Sequence, residues 1–187
     1  MAKLQLKKNL ILKSKKVNNF MNFKTEFEND YLRLFQADNS DFEKLYSIAK
    51  DPNIWKQHPE NDRWKREKFS IFFKNGLLND FGLLIIYDKR TDGFIGSTRY
   101  YSYEINHNAI RVGFTFISTD YWGTLVNFHI KKMMLDYAFD FVDNVYFDIG
   151  VKNIRSRKAV EKIGASLFVD NPAGNVVYKL SKENFKI

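Results

Sequence analysis

The most constraining feature of this sequence is a long amphipathic helical pattern that stands between two strand-like segments. Residues 109–117 and residues 145–151 both alternate apolar and polar side chains with the period of a strand. Between them, apolar side chains recur at the three- and four-residue spacing of one helix face. They are Ile130, Met133, Met134, Tyr137, Ala138 and Phe141. A strand, a crossover helix and a second strand in this order predict two parallel neighbours in one sheet.

Ahead of this unit, the pattern predicts one strand, two helices and two more strands. The first helix is expected to start at the Ser40-x-x-Glu43 capping box and to stop at Asp51-Pro52, and the second to start at Asp62. The strands are expected over residues 27–35, 82–87 and 94–103. In the strand at 109–117, one face is expected to carry Ile110, Val112, Phe114 and Phe116.

After the unit, a short helix over residues 153–163 is expected to end at Gly164 in a left-handed conformation. Two final strands, 165–169 and 176–180, flank a turn at residues 171–174. The full order is β-α-α-β-β-β-α-β-α-β-β. It predicts an α/β (α+β) fold with a mixed, mostly antiparallel sheet of about seven strands and helices on both faces.

Composition excludes several kinds of chemistry. The chain has 187 residues and 44% hydrophobic content, which suits one domain with a substantial core. It has no cysteine, which excludes disulfides, cysteine–zinc sites and a thiol nucleophile and fits a reducing cytoplasm. The three histidines are scattered without metal-ligand spacing, so we expect no metal site.

The net charge of +8 is concentrated at the N-terminus. Residues 1–20 contain no acid and six lysines, so the rest of the chain carries only +2 of that charge. We therefore expect a Lys-rich extension over 1–20, a single domain over 21–187, and no nucleic-acid partner for the domain. One hypothesis is that translation naturally starts at Met21. No segment has the apolar length of a secretory signal or a membrane span, so we expect a cytoplasmic protein with no membrane partner.

The loop between residues 118 and 127 joins a strand to the N-terminus of the long helix. Helix N-termini have unpaired N–H groups and a positive dipole end, so such a loop can bind a diphosphate through its backbone. Asn127 has the residue type expected of the helix N-cap.

Several motifs in this region resemble the GNAT superfamily of acetyltransferases, in particular the branch similar to the ribosomal-protein N-terminal acetyltransferases. The resemblance extends from about residue 28 to residue 180. Its motifs are Trp122-Gly123, Leu135-Asp-Tyr-Ala-Phe139, Asn153-Ile-Arg-Ser156 and Ala159-Val-Glu-Lys-Ile-Gly-Ala165, with Asp41-Phe-x-x-Leu45 and Asp51-Pro-x-Ile-Trp55 ahead of them.

This resemblance implies an acetyl-CoA-dependent N-acetyltransferase in which two parallel strands split apart to form a V-shaped slot. The pantetheine arm of coenzyme A would pair with Phe114, Thr115, Phe116 and Ile117. The diphosphate would lie on Trp122, Gly123, Thr124, Leu125, Val126 and Asn127, with Lys131 as a nearby charge. Asn153 would contact the cofactor, and Ser156 would protonate the leaving thiolate.

The sequence departs from the superfamily pattern at several positions, and two of these bear directly on phosphate binding and on the catalytic acid. Leu125 stands where the phosphate loop usually has a glycine, which lets the phosphate approach the backbone closely. Val160 stands where other branches place a tyrosine acid, which leaves Ser156 as the candidate.

The general base and the acceptor are less specified. Asp148 lies opposite the apolar face of its strand, so its side chain can face the slot and act as the general base. Glu104, Glu67 and His58 are further candidates for the general base. The acceptor site is expected to include Trp55, His58, Trp64, Tyr100 and Tyr101. The acceptor itself is open between a protein N-terminus, a small amine, an amino sugar and an amino acid, and the protein between a monomer and a homodimer.

Two other functions remain as alternatives to the enzyme. Leu125 and the missing tyrosine motivate a catalytically silent protein of the same fold that binds an acyl-CoA or a partner. The basic N-terminus and the many aromatic residues motivate a nucleic-acid-binding module.

Overall fold

The computed structural model describes residues 23–170 and 174–185, which form one eight-stranded sheet with helices on both faces. The strand order across the sheet is β1-β2-β3-β4-β5-β6-β8-β7. The strands are β1 Phe27–Glu28, β2 Leu32–Gln36, β3 Leu84–Asp88, β4 Gly93–Glu104, β5 Ala109–Ile117, β6 Asn144–Gly150, β7 Ser166–Val169 and β8 Asn175–Ser181. The helices are α1 Phe42–Ala49, α2 Pro52–Trp55, α3 Arg66–Leu77, α4 Val126–Ala138 and α5 Ile154–Glu161.

Every neighbouring pair of strands is antiparallel except β5 and β6, so the predicted mixed sheet is confirmed. The sheet has one strand more than expected, because residues 27–35 form a hairpin and not a single strand. The Asn29 side-chain oxygen accepts hydrogen bonds from the N–H groups of Tyr31 and Leu32, at 2.9 and 2.8 Å, and so turns the chain.

The parallel pair is short. It joins Ala109 to Asn144, Ile110 to Val145 and Arg111 to Tyr146, and beyond Arg111 the two strands are no longer paired. On the far side, β6 remains fully paired with β8 from residue 144 to residue 150. The sheet therefore opens into a split between the second halves of β5 and β6.

Two apolar cores hold the helices against the two faces of the sheet. One core packs α4 and α5 against β5, β6 and β8, with Ile130, Met134 and Leu135 fully buried. The other packs α1, α2 and α3 against β3 and the end of β5, around Leu45, Phe69 and Ile85. Burial of such side chains is the main source of stability for a fold of this size.

Three predicted helix starts are wrong. The capping box lies two residues before Ser40: the side chain of Asp38 caps a short turn and Asp41 bonds back to the N–H of Asp38, at 3.0 Å. Helix α3 starts at Arg66 and not at Asp62. Helix α4 starts at Val126, so Asn127 lies inside its first turn. The Thr124 hydroxyl accepts a hydrogen bond from the N–H of Val126 at 3.3 Å instead.

The single apolar face predicted for β5 is also wrong at Phe114. Phe114 has a φ of +51°, the left-handed region that non-glycine residues rarely adopt. The register between β4 and β5 shifts at the same place, which is a β-bulge. As a result Val112 faces the α4 core, Phe116 faces the α1–α3 core, and Phe114 turns into the split.

At the C-terminal end, Gly164 adopts the predicted left-handed conformation, with a φ of +93°. Helix α4 ends at Ala138, so Phe141 packs on the core from the turn that follows. The predicted turn at residues 171–174 lies mostly outside the described residues. So does the Lys-rich segment 1–20 with the Met21 hypothesis.

Candidate active site

The split between β5 and β6 is the mouth of a cleft of about 600 Å³. It exists because β5 leaves β6 after Arg111, so that both strands present unpaired edges to the opening. Most of the residues expected from the sequence line it. These are Trp55, His58, Phe114, Thr115, Phe116, Ile117, Trp122, Gly123, Thr124, Leu125, Asn127, Lys131, Asp148, Asn153 and Ser156.

Four expected residues do not line the cleft. Val126 turns into the core under α4, because the helix starts one residue before Asn127. Tyr100 is fully buried, and its hydroxyl donates to the carbonyl of Met134 at 2.5 Å, so its expected contact with an acceptor is wrong. Trp64 is an exposed residue outside the cleft wall. Tyr101 lies behind the wall, with its ring centroid 4.9 Å from that of Phe114.

The loop before α4 presents free backbone donors to one end of the cleft. Within the described residues, the N–H groups of Gly123, Leu125, Asn127 and Phe128 form no hydrogen bond. Gly123 has a φ of +77°, and the space where a Cβ would stand is empty to at least 4 Å. Free donors at the positive end of a helix dipole suit a phosphate group. The Leu125 side chain is 68% exposed and lines the cleft beside these donors.

Helix α5 begins at the opposite wall, where Asn153 is the N-cap. Its side-chain oxygen accepts a hydrogen bond from the Ser156 N–H at 3.2 Å, and Asn153 is only 8% exposed. Asn153, and not Ser156, therefore caps the N-terminus of α5. The Ser156 hydroxyl lines the cleft and makes no hydrogen bond to any described residue, so it is available to a ligand.

Three basic side chains in and directly after α5 also line the cleft, and they were not among the residues expected from the sequence. Arg155, Lys158 and Lys162 stand three and four residues apart, which places them along one helix face. That spacing was the available signal. Together with the free N–H groups of the α4 loop, they give this end of the cleft a positive charge.

Arg155 also ties the walls of the cleft together. Its guanidinium carbon lies 3.8 Å from the ring centroid of Trp122, a cation–π contact. Its Nη2 donates to the carbonyl of Ile54 at 3.1 Å, and its backbone N–H donates to the Gln57 side chain at 3.2 Å. One residue of α5 thus fixes both the phosphate-side loop and the segment after α2.

Lys131 projects from α4 into the middle of the cleft. It is 7% exposed, and its ammonium donates to the Thr115 hydroxyl at 3.2 Å. Burial lowers the pKa of Lys131 to about 8, because the charged form loses its hydration. No carboxylate among the described residues pairs with it.

Asp148 stands on β6 within a hydrogen-bonded network. It accepts from Arg111 Nη1 at 2.6 Å and from the Tyr101 hydroxyl at 2.8 Å. Arg111 also pairs with Glu104, which in turn contacts His107 at 3.0 Å on the surface. Of the four expected base candidates, only Asp148 and His58 line the cleft; Glu104 and Glu67 do not.

A model of the GNAT acetyltransferase domain family matches residues 31–166, nearly three quarters of the sequence. The matched segment contains the split strands, the α4 loop and the Asn153–Ser156 turn. The chain belongs to the GNAT family of acetyltransferases, whose members use acetyl-CoA as a co-substrate.

Solved structures with related folds support the architecture. A GCN5-related N-acetyltransferase from Brucella melitensis superposes with a TM-score of 0.73 at 13% identity, over 87% of this chain and 80% of that one. Spermidine N-acetyltransferase from Vibrio cholerae, solved with CoA and spermine, gives 0.63 at 15% identity over 84% and 99%. A proposed ribosomal-protein-serine acetyltransferase from Vibrio cholerae gives 0.67 at 13% identity over 86% and 99%.

At these identities the solved structures establish the fold alone. No curated protein matches the sequence significantly. Within the described residues, no helix is both long enough and apolar enough to cross a membrane.

Proposed function

We propose that this protein transfers an acetyl group from acetyl-CoA to a primary amine. The observation that carries the proposal is the split between β5 and β6, because its unpaired edges lie beside the free N–H groups of the α4 loop. A long ligand with a phosphate end and an amide-bearing arm fits such a slot. Family membership supports acetyl-CoA as that ligand.

The residues present fit acetyl-CoA. The free N–H groups of the α4 loop and of the first turn of α4, together with the basic side chains at α5, suit the phosphates. The free edge of Phe114–Ile117 suits the amide groups of the pantetheine arm, and Asn153, Lys131 and Trp122 complete the walls. When bound, acetyl-CoA supplies a thioester carbonyl carbon that an amine nitrogen attacks and a thiolate that leaves.

The protein's part in the reaction is to position the amine and to move two protons. As the nitrogen–carbon bond forms and the carbon–sulfur bond breaks, one proton leaves the nitrogen and one reaches the sulfur. We assign protonation of the sulfur to the Ser156 hydroxyl, which forms no hydrogen bond with any described residue. Holding the reactants together would supply a large share of the rate enhancement.

The proton that leaves the amine nitrogen goes to Asp148, directly or through a water molecule. Asp148 lines the cleft, and Arg111 and Tyr101 hold its carboxylate in place. His58 suits the role less well. The N–H of Glu60 donates to its Nδ1 at 3.0 Å, so that lone pair is engaged.

The test combines binding with turnover. Acetyl-CoA should raise the melting temperature of the protein, and an amine panel should release free thiol from acetyl-CoA. Because the chain has no cysteine, all thiol detected is coenzyme A. Binding without release from any amine or N-terminal peptide would favour the silent alternative. No acetyl-CoA binding, with salt-sensitive RNA binding by residues 21–187, would favour the nucleic-acid module.

Ser156→Ala tests the assigned acid. We expect kcat to fall about 10²-fold or more, because the thiolate must then leave unprotonated. The KM for acetyl-CoA should change little, since the Asn153 cap uses the Ser156 backbone N–H, which alanine retains. Ser47→Ala, on the exposed face of α1, is the matched control. An unchanged kcat in Ser156→Ala would remove Ser156 from the mechanism.

The finer assignments follow from the resemblance noted in the sequence. We propose that the chain belongs with the ribosomal-protein N-terminal acetyltransferase branch, and that residues 21–187 form its domain behind a Lys-rich extension. A cytoplasmic location is consistent with the absence of cysteine.

A further inference from the structure

The acceptor end of the cleft has buried guanidinium donors that lack a hydrogen-bond acceptor among the described residues. Arg63 and His58 line the cleft beside Trp55, and Arg99 lies beneath Phe114. Arg63 and Arg99 are 3% and 6% exposed, so both guanidinium groups are more than nine-tenths buried.

The tautomer of His58 makes it a donor toward Arg63. The Glu60 N–H can only donate, and it bonds to His58 Nδ1, so this nitrogen carries no proton. Burial, followed by the charge of Arg63, lowers the pKa of His58 to about 4, which keeps the ring neutral. Its proton is therefore on Nε2, which stands 3.4 Å from Arg63 Nη1. Two N–H donors face each other there, and an oxygen between them would satisfy both.

The guanidinium groups have further unmet donors. Arg63 Nε, Arg99 Nε and Arg99 Nη1 are buried without a hydrogen bond among the described residues. Arg63 pairs through Nη2 with Glu60 at 2.6 Å, a surface carboxylate that is 69% exposed. Arg99 pairs with no carboxylate in the part of the chain that the structure describes, and burial followed by the charge of Arg63 lowers its pKa to about 10. An unpaired buried charge is costly unless a ligand completes it.

Aromatic rings hold both cations in place, Arg63 in the cleft wall and Arg99 behind Phe114. Their guanidinium carbons lie 4.7 and 5.7 Å from the ring centroid of the same residue, Phe72. Arg99 also lies 3.6 Å from the ring centroid of Phe114, which lines the cleft at the bulge of β5. On its other side, Gly76 of α3 makes room for it: a Cβ there would stand 3.2 Å from Arg99 Nη1.

We propose that His58 and Arg63, with the buried charge of Arg99 behind Phe114 beside them, bind an oxyanion, a carboxylate or a phosphate, carried by the amine acceptor. This inference rests on the proposed acetyl transfer and narrows its substrate class to amines that also bear an anionic group. It disfavours polyamines, whose second cation would meet two buried guanidinium groups. Planar guanidinium groups suit oxyanions because they donate in pairs.

The kinetic test uses amine pairs that differ only in the anion. Glycine, 3-aminopropanoate and 4-aminobutyrate are each compared with the amine that remains after loss of the carboxylate. Aminoethyl phosphate is compared with ethanolamine to distinguish phosphate from carboxylate, and 1,4-diaminobutane represents polyamines. We expect a higher kcat/KM, by about ten- to a hundredfold, for the anionic member of at least one pair.

Arg99→Met and Arg63→Met should abolish that preference, so that kcat/KM for the anionic member of a pair falls to the value for its neutral partner. Arg66→Met is the matched control, because Arg66 is an exposed α3 residue paired with Glu43 outside the cleft. Equal kcat/KM for both members of every pair, or a preference that survives in both variants, would overturn the proposal.

A binding experiment separates this inference from the transfer reaction itself. Inorganic phosphate is titrated at constant ionic strength with coenzyme A saturating, so that the α4 loop is occupied. The melting temperature should rise in the wild type and in Arg66→Met, and not in Arg63→Met or Arg99→Met. The same shift in all four proteins, or in none, overturns the anion site. Thiol release that fails with every amine refutes the transfer alone.

Discussion

At the scale of single residues, Lys131 is held in an environment that disfavours its own charge. It is buried between α4 and β5, donates to Thr115, and has no carboxylate partner among the described residues. Such a lysine costs folding stability, and proteins usually retain one where a ligand uses it. We propose that in this cleft the ligand is acetyl-CoA.

Lys131→Met should therefore stabilise the free protein. A pKa of about 8 in the folded state against 10.5 in the unfolded state corresponds to about 3 kcal/mol. Below pH 8 both states of the wild type are protonated, so the full penalty applies. Between pH 8 and 10.5 the unfolded state binds more protons, so wild-type stability rises with pH and the difference shrinks. Denaturant unfolding of both proteins from pH 6 to 10 measures this; a pH-independent difference would contradict it.

Asp148 is the residue that we propose as the acceptor of the amine proton. We expect Asp148→Asn to lower kcat/KM for amines by about 10²–10⁴-fold, because an amide cannot take a proton from the nucleophile. Acetyl-CoA should still raise the melting temperature, since the phosphate-side residues are unchanged. Asp136→Asn, on the exposed face of α4, is the control. If Asp148→Asn kept activity close to that of the wild type, a chain of water molecules, and not Asp148, would be the general base.

At the scale of elements, the cleft depends on how the segment after α2 rests on the end of β6. Gly150 closes β6, and a Cβ there would stand 2.6 Å from Cδ and Cγ of Pro59. Arg155 holds the same segment through Ile54 and Gln57. This segment carries His58, so its position sets the acceptor end of the cleft.

Gly150→Ala should displace the segment around Pro59. We expect a loss of about 1–3 kcal/mol in stability from overpacking, and a higher KM for the acceptor than for acetyl-CoA. Gly93→Ala is the matched control at the start of β4, because its nearest atoms are 3.8 Å from the new Cβ. Chemical denaturation and the two KM values measure the effect. Equal stability of the two variants would show that the segment yields easily.

At the scale of the whole molecule, we expect acetyl-CoA binding to depend on the cleft in the sheet and not on the basic residues 1–20. Phe23 is buried against Phe81, Tyr100, Tyr137 and Phe141, so the core already includes residue 23. A chain that starts at Met21 should then keep its acetyl-CoA response.

For that shortened chain, we expect saturating acetyl-CoA at about 100 times its Kd to raise the melting temperature by roughly 5–10 °C. The full-length protein should show the same rise, and any salt-sensitive RNA binding should disappear with residues 1–20. Differential scanning fluorimetry of both proteins is the measurement. Loss of the acetyl-CoA response in the shortened chain would contradict the proposed division at residue 20.

The sequence by itself determined the order of the elements from β3 to β8 and the mixed sheet. The stripe of α4 and the alternation of β6 are local periodic patterns, and burial of an apolar face decides such patterns without distant contacts. The residues of the Asn153–Ser156 turn and of the α4 loop followed from recognisable motifs, and both line the cleft.

Only the tertiary structure decided where the alternation of β5 breaks and what the cleft walls contain. The bulge at Phe114 depends on register with β4, and the split depends on where β5 leaves β6. Tyr100 and Tyr101 are adjacent in sequence, yet one enters the α4 core and the other bonds to Asp148. Arg63 and Arg99 come from distant segments and meet only across Phe72. Long-range packing sets such contacts, and no local pattern encodes it.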